Sequence, residues 1–289
     1  MTTTIQRLVT ATDFSEAGNN AALRGAYLAK AMGVETFCLW HVLEPAVGRV
    51  LRETLALSLS HKKDFHDPVS EALAAMAKRI EEETGITPHT EFLEGAMTQV
   101  LPQALKKGDL LVIGATGSHR FRRIMLGTTA LRILQRCQVP VLVTRETAAS
   151  SYQKVLVATD FSPFCERAIE LAEKVAPDAD IRLFHAYHAS HEMDLIFAGL
   201  SDQVIQQYRD KAKIEAEQKM QRLRASHPSF NADLLPGYPV PTLIEHLETQ
   251  QSDLVVVGKQ GQGATEDSQL GRVTQRLLNE GTTDVLVVN

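Results

Sequence analysis

Cysteine is scarce in this chain: Cys38, Cys137 and Cys165 are the only three among 289 residues. They stand far apart with no CxxC spacing, which argues against a disulfide framework and fits a reducing compartment. Each reads as a small buried hydrophobe. Long apolar runs are missing too, since no segment approaches the ~20 consecutive apolar residues of a membrane helix. The polar stretch Met1 to Arg7 leads straight into a strand-like segment, with no basic region followed by an apolar signal core. The expected location is therefore the cytoplasm, with no membrane partner. A strong charge of one sign is also lacking. The net charge is −5 and the pI about 6.1, so there is no basic footprint of the kind that marks a nucleic-acid partner. Three well-known loops are absent: the G-x4-G-K-[ST] phosphate loop, the G-x-G-x-x-G dinucleotide loop and the G-x-S-x-G nucleophile elbow. No acyl- or phosphoryl-transfer constellation stands out, and no residue makes a convincing general base, His119 being the nearest.

What is present is enough apolar material for a sizeable core. Hydrophobic residues make up 44% and charged ones 22%, proportions that exclude wholesale disorder. At about 150 residues per domain the length suggests two domains, and an internal repeat supports that count. Gln6-Arg-Leu-Val-Thr-Ala-Thr-Asp-Phe-Ser15 matches Gln153-Lys-Val-Leu-Val-Ala-Thr-Asp-Phe-Ser162, with six of ten positions identical. Trp40-His41 matches Phe184-His185. Asp109-Leu-Leu-Val-Ile-Gly114 matches Asp253-Leu-Val-Val-Val-Gly258, and Val139–Val143 matches Thr283–Val287. Matches in the same order indicate a duplicated domain. The polar, small-residue stretch Glu146 to Ser151 reads as the linker, giving domains over 1–146 and 152–289.

Within each copy, short apolar runs alternate with helical patterns. In the first, strands are expected at Leu8–Thr12, Thr36–Val42, His89–Leu93, Asp109–Ile113 and Val139–Val143. Helices are expected at Glu16–Met32, capped by Ser15 and ended by Gly33, and at Val69–Thr84, Thr98–Lys106 and Thr128–Arg136. Pro102 is tolerated if it lies near a first turn. Ser162-Pro163 reads as a helix start. Gln203 to Arg224 reads as a partly exposed amphipathic helix with Val204, Tyr208, Ile214 and Met220 as its apolar residues. Unbroken apolar strands alternating with helices mean an α/β fold with parallel sheets covered on both faces.

After the fourth strand the first copy reads Gly114-Ala-Thr-Gly117, nine residues, then Gly127-Thr128. The second reads Gly258-Lys-Gln-Gly261, nine residues, then Gly271-Arg272. Glycines at a strand end let a ligand approach the backbone. The start of the following helix offers free N–H groups to an anion, and the hydroxyls of Thr128 and Thr129 can donate to phosphate. Ligands of open α/β sheets bind beyond the carboxyl ends of the strands where the order reverses. Asp13 is either a helix cap or a ligand contact, and Thr128 either a cap or a phosphate donor. The basic run His119, Arg120, Arg122 and Arg123 is either a solvated face or an attractor of phosphate.

The spacing G-x2-G-x9-G-[ST], together with Ala-Thr-Asp-Phe-Ser at the end of strand one, resembles the ATP-binding signature of universal stress proteins, across both halves. That resemblance implies two five-stranded sheets of order 3-2-1-4-5. It implies an adenine-nucleotide site in the first copy at Thr12, Asp13, Val42, Gly114, Gly117, Gly127, Thr128 and Thr129, with Asp13 on the ribose or on Mg²⁺. It also implies pairing of the fifth strands, here as an internal pseudo-dimer, with a homodimer and further protein partners as extensions. The second site, at Asp160, Gly258, Gly261, Gly271 and Arg272, departs from the signature. Arg272 replaces the hydroxyl residue, and Glu266 and Asp267 place acidic groups where the first loop has arginines, so weaker ATP binding is expected there. The function implied is an ATP-binding regulatory protein of the stress response. The alternatives are a slow ATP-hydrolysing or adenylating enzyme, and an interaction module with a vestigial pocket. Separately, His185, His188 and His191 have a spacing that admits zinc, although His185 aligns with His41 and so also reads as structural.

Overall fold

The computed structural model describes residues 4–44, 63–116, 126–145, 150–162, 164–261 and 270–289. The first half runs β1 (Arg7–Ala11), α1 (Glu16–Met32), β2 (Thr36–Leu43), α2 (Lys63–Thr84), β3 (His89–Glu94), α3 (Met97–Ala104), β4 (Asp109–Gly114), α4 (Thr128–Arg136) and β5 (Val141–Thr144). The second runs β6 (Lys154–Ala158), α5 (Phe164–Val175), β7 (Asp180–Tyr187), α6 (Glu192–Phe197), α7 (Asp202–Ser226), β8 (Asn231–Pro236), α8 (Pro239–Gln250), β9 (Leu254–Gly258), α9 (Arg272–Glu280) and β10 (Asp284–Val288). Most of the expected linker, at 146–149, and Pro163 lie outside the described residues.

Each half is a parallel sheet in the expected order, and the two join into one ten-stranded sheet, β3-β2-β1-β4-β5-β10-β9-β6-β7-β8. The joint is antiparallel and short: Val285 faces Val143, Leu286 faces Leu142 and Val287 faces Val141. Because side chains alternate along a strand, the joint feeds both faces of the sheet. Leu142 and Leu286 enter one apolar layer, with α1, α2, α5 and α7 over it. Val141, Val143, Val285 and Val287 enter the other, under α3, α4, α8 and α9. Each layer crosses the joint without a break, so the halves share their cores.

A polar cluster pins the same joint. Asp284, wholly buried, accepts from the Tyr152 hydroxyl at 2.7 Å and from the Arg145 backbone N–H at 2.6 Å. Arg24 of α1 places its Nε 3.4 Å from the Asp284 carboxylate, an ion pair without hydrogen-bond alignment. Its guanidinium also covers the Tyr152 ring and donates to the Ser150 carbonyl at 2.7 Å. Burial and the neighbouring carboxylate push the Tyr152 phenol well above its ordinary pKa, keeping it a donor.

Local structure follows the sequence closely at α1. Ser15 caps it by accepting from the Gly18 N–H, and Gly33 ends it in the left-handed conformation at φ 61°. Three expectations need correction. The helix α2 begins at Lys63 rather than Val69, with Pro68 inside it. Pro102 is not in the first turn of α3 but interior. It is tolerated because the Thr98 carbonyl, which a proline four residues on cannot bond, accepts instead from Arg136 at 2.9 Å. In α7 the residues turned inward are Ile205, Ala216 and Met220, whereas Val204 and Ile214 are 42% and 51% exposed. The three cysteines are free and buried.

Candidate functional site

The turn from β1 into α1 is built twice with the same contacts. Phe14 and Phe161 both take the left-handed conformation at φ 61°, a costly state for a bulky residue. Side-chain acceptors hold it. The Thr12 hydroxyl takes the Phe14 N–H at 3.0 Å, and that of Thr159 takes Phe161's at 2.9 Å. Asp13 takes the Ser15 N–H at 3.0 Å, and Asp160 takes Ser162's at 2.9 Å. From β2, the His41 Nδ1–H donates to the Thr12 carbonyl at 2.8 Å while its ring stacks on Phe14. From β7, His185 does the same to Thr159 at 2.7 Å, against Phe161. These two histidines are therefore clamps. Burial pulls the His185 pKa below 6.5, so the clamp is neutral.

The zinc-like spacing leads elsewhere. His185 is committed to Thr159, His188 lies against the Tyr238 ring, and exposed His191 bonds Asp194 at 3.1 Å. Among the described residues no three histidine, cysteine or acidic side chains are grouped to hold a metal.

The turn meets the glycine loop through α1. A Cβ built on Gly114 would fall 2.9 Å from the backbone of Ala17, in the first turn of α1. Only glycine lets that turn approach the end of β4. The next residue, Ala115, accepts the Gly127 N–H at 2.8 Å, which fixes the start of α4 beside it. Gly127 caps α4 without any side-chain bond, and Thr128 and Thr129 stand exposed in the first turn. Asp13 keeps one carboxylate oxygen without a hydrogen-bond partner among the described residues. Thr12, Asp13, Gly114, Gly127, Thr128 and Thr129 thus belong to one end of the sheet. Val42 sits half-buried on β2 at that end, in register with Leu93. Gly117, the basic run His119 to Arg123, Glu266 and Asp267 lie outside the described residues or, for Gly117, beyond the last one described in that loop.

In the second half the corresponding place is a cleft of about 590 Å³. Asp160, Gly258, Gly261, Gly271 and Arg272 all line it, as does Ala186, the counterpart of Val42. A Cβ on Gly261 would come within 2.7 Å of the Asp160 carboxylate, so strand-one aspartate and second glycine are in contact. The chemistry of this cleft differs from that of the corresponding place in the first half. Arg272 and Val273 replace the two threonines, and the Thr274 hydroxyl is turned onto the Gly258 carbonyl at 2.8 Å. Phe164 and Cys165 replace Ala17 and Gly18. Burial raises the Cys165 thiol to about 11, which keeps it protonated and unreactive.

Sequence reasoning missed Gly18, whose Cβ would meet the Asp13 carboxylate at 2.7 Å, and Asn19, which bonds both the Thr12 hydroxyl and the Phe14 carbonyl. The signal available was their place one turn after a strand-end aspartate. No helix among the described residues is long and apolar enough to cross a membrane.

A model of the universal stress protein family matches residues 4–145 and again 151–289. A curated universal stress protein of Mycolicibacterium smegmatis is 25% identical over 286 residues, covering 95% of this chain and 94% of that protein. One from Methanocaldococcus jannaschii is 32% identical over 144 residues, 49% of this chain and 82% of its own length. The crystal structure of a universal stress protein from Archaeoglobus fulgidus aligns at a TM-score of 0.68, with 21% identity and coverage of 99% and 98%, a likeness of fold.

Proposed function

This chain belongs to the universal stress protein family, and on that premise we propose that it is an ATP-binding regulatory protein of the stress response. The nucleotide occupies the first half, residues 1–146. The second half, residues 152–289, carries a weaker site. The observation that supports this most is the start of α4: a helix end with no side-chain cap, two hydroxyls in its first turn, and a glycine-permitted approach to the turn that carries Asp13.

The chemistry of the residues fits a triphosphate. The uncapped N–H groups after Gly127 and the positive end of the helix dipole attract anions. Thr128 and Thr129 add two donors. Asp13 keeps an oxygen for the ribose hydroxyls, or for a Mg²⁺ carried in on the phosphates, which usually supply part of that ion's coordination. At the second site Arg272 supplies charge, but Val273 and the self-satisfied Thr274 remove the hydroxyl donors, so affinity is lower there. Bound nucleotide acts by favouring one conformation or assembly, which protein partners read. The shared core across the β5–β10 joint gives such a bias a way to reach both halves.

The test is calorimetric titration of the full chain with ATP, beside a Thr128→Val, Thr129→Val chain. Two hydrogen bonds to charged groups at about 1.5 kcal/mol or more each correspond to a loss on the order of 100-fold. Unchanged affinity would remove the α4 start from the site. No binding by either chain would remove ATP.

A further inference from the structure

One side chain joins the second glycine loop to the C-terminus of α4. Lys259 follows Gly258 at the end of β9, inside the second glycine loop. Its ammonium crosses to the first half and donates to the carbonyls of Cys137 at 2.6 Å and Gln135 at 3.3 Å. Those carbonyls close the C-terminus of α4, the helix that begins at Gly127 and Thr128. The cation sits at the negative end of the helix dipole. It is half-buried, and burial lowers its pKa, so the carbonyls replace water that the ammonium has given up.

The backbone of the same residue belongs to the second cleft. The Lys259 carbonyl accepts the N–H of Gly271 at 2.8 Å, which positions the cap of α9, and its N–H is held by the Val288 carbonyl at 2.6 Å. A shift of the second loop therefore moves the anchor of α4. Among the described residues of the first loop there is no such side chain. The counterpart of Lys259 is Ala115, whose carbonyl holds Gly127 in the same way but whose methyl is too short to cross the joint. The C-terminus of α9 is instead gripped by Arg145, which donates to the Leu278 carbonyl from the end of β5. Arg145 is not in a glycine loop. Both helices are thus clasped by a cation from the other half, but of these two clasps only the one on α4 originates at a ligand loop.

We propose that Lys259 is a positioning residue that couples the clefts, so that the state of the second glycine loop sets the position of α4 and with it the nucleotide affinity of the first. The first-cleft part rests on the function proposed above. The coupling of loop to helix does not.

The experiment is a double-mutant cycle in the full chain: wild type, Gly261→Val, Lys259→Met and the combination, with Lys259→Arg as the conservative rescue. Gly261→Val displaces the second loop because its Cβ meets the Asp160 carboxylate. Thermal melting first checks that each chain folds. Amide hydrogen exchange then follows residues 131–137 of the ligand-free chains. The expected result is exchange about five-fold faster in either single variant, no further gain in the combination, and recovery with arginine, a coupling at the low end of that between linked sites. Gly261→Val leaving exchange at the wild-type level would overturn the coupling, as would additive effects in the combination. Titration with ATP in the same chains should show the first-cleft affinity falling in parallel. Coupled exchange without any ATP binding would leave the loop-to-helix link standing and remove the nucleotide reading. ATP affinity equal in all four chains would overturn the control of nucleotide affinity by Lys259 and leave the nucleotide reading standing.

Discussion

Replacing Asp284 with alanine should destabilise the chain more than any other single polar change at the joint. The carboxylate is wholly buried, and its partners include the Tyr152 hydroxyl, the Arg145 N–H and the Arg24 guanidinium. Arg24 is itself 5% exposed, so water cannot take the place of the lost anion. Removing one partner of a buried ion pair costs about 3–5 kcal/mol, because the remaining charge stays buried and unpaired. An orphaned buried hydroxyl or amide costs a further ~1–3 kcal/mol where it finds no new acceptor. Relaxation around the small cavity offsets part of this, leaving a loss of about 4 kcal/mol. For a chain of this size that is a fall in melting temperature of roughly 10 °C. Tyr152→Phe, which removes one hydrogen bond and strands no charge, should cost only ~1 kcal/mol. Replacing both charges together, Asp284→Leu with Arg24→Met, should recover most of the loss, since apolar residues substitute well for a buried pair as a whole. Calorimetric melting of the four chains tests the ranking. A melting temperature for Asp284→Ala within about 2 °C of wild type would refute the reasoning, because a stranded buried charge cannot be that cheap.

Two further outcomes follow from the same contacts. Leu286→Asp puts a carboxylate at the centre of the joint, opposite Leu142 with both side chains fully buried. It should cost at least about 4 kcal/mol through lost apolar burial and an unpaired charge, and small-angle scattering should show a more extended chain wherever the halves still fold. The neutral clamp at His185 makes stability depend on pH. Its folded pKa lies below 6.5, so below that value the unfolded state binds the proton and the folded state resists it. Stability should rise with pH through the interval beneath 6.5 and fall as the medium is acidified. His185→Gln should flatten that part of a denaturant-midpoint profile, and an unchanged slope would remove His185 as its source.

Much of the architecture could be read from the chain because its signals are local. Ser15 and Gly33 mark both ends of α1, and the apolar strands repeat at a near-constant interval. The β5–β10 joint was expected from the resemblance to universal stress proteins, and the structure shows it. The start of α2 was hidden because Pro68 reads as a boundary, although the helix runs through it. The inward face of α7 was misjudged because its apolar residues are sparse, and helical phase is poorly defined by four positions. At the site, the strand-end aspartates and the glycines were visible through their repetition. The histidine clamps were half visible: the alignment of His41 with His185 pointed to structure, and the His-x2-His spacing to metal. Asp284, Lys259 and Arg145 gave no warning. Their partners lie more than a hundred residues away in sequence, and no periodicity encodes a contact across a pseudo-twofold joint.

That the first half holds ATP at its glycine loop is tested most directly by native mass spectrometry. The full chain is titrated with ATP, comparing wild type with Gly117→Val and Gly261→Val. A Cβ at Gly261 meets the Asp160 carboxylate, and Gly117 holds the same place in the sequence motif of the first half. The predicted result is a dominant complex with one ATP, lost in Gly117→Val and retained, if weakened, in Gly261→Val. A complex that survives Gly117→Val at wild-type abundance, or that disappears only in Gly261→Val, would contradict it.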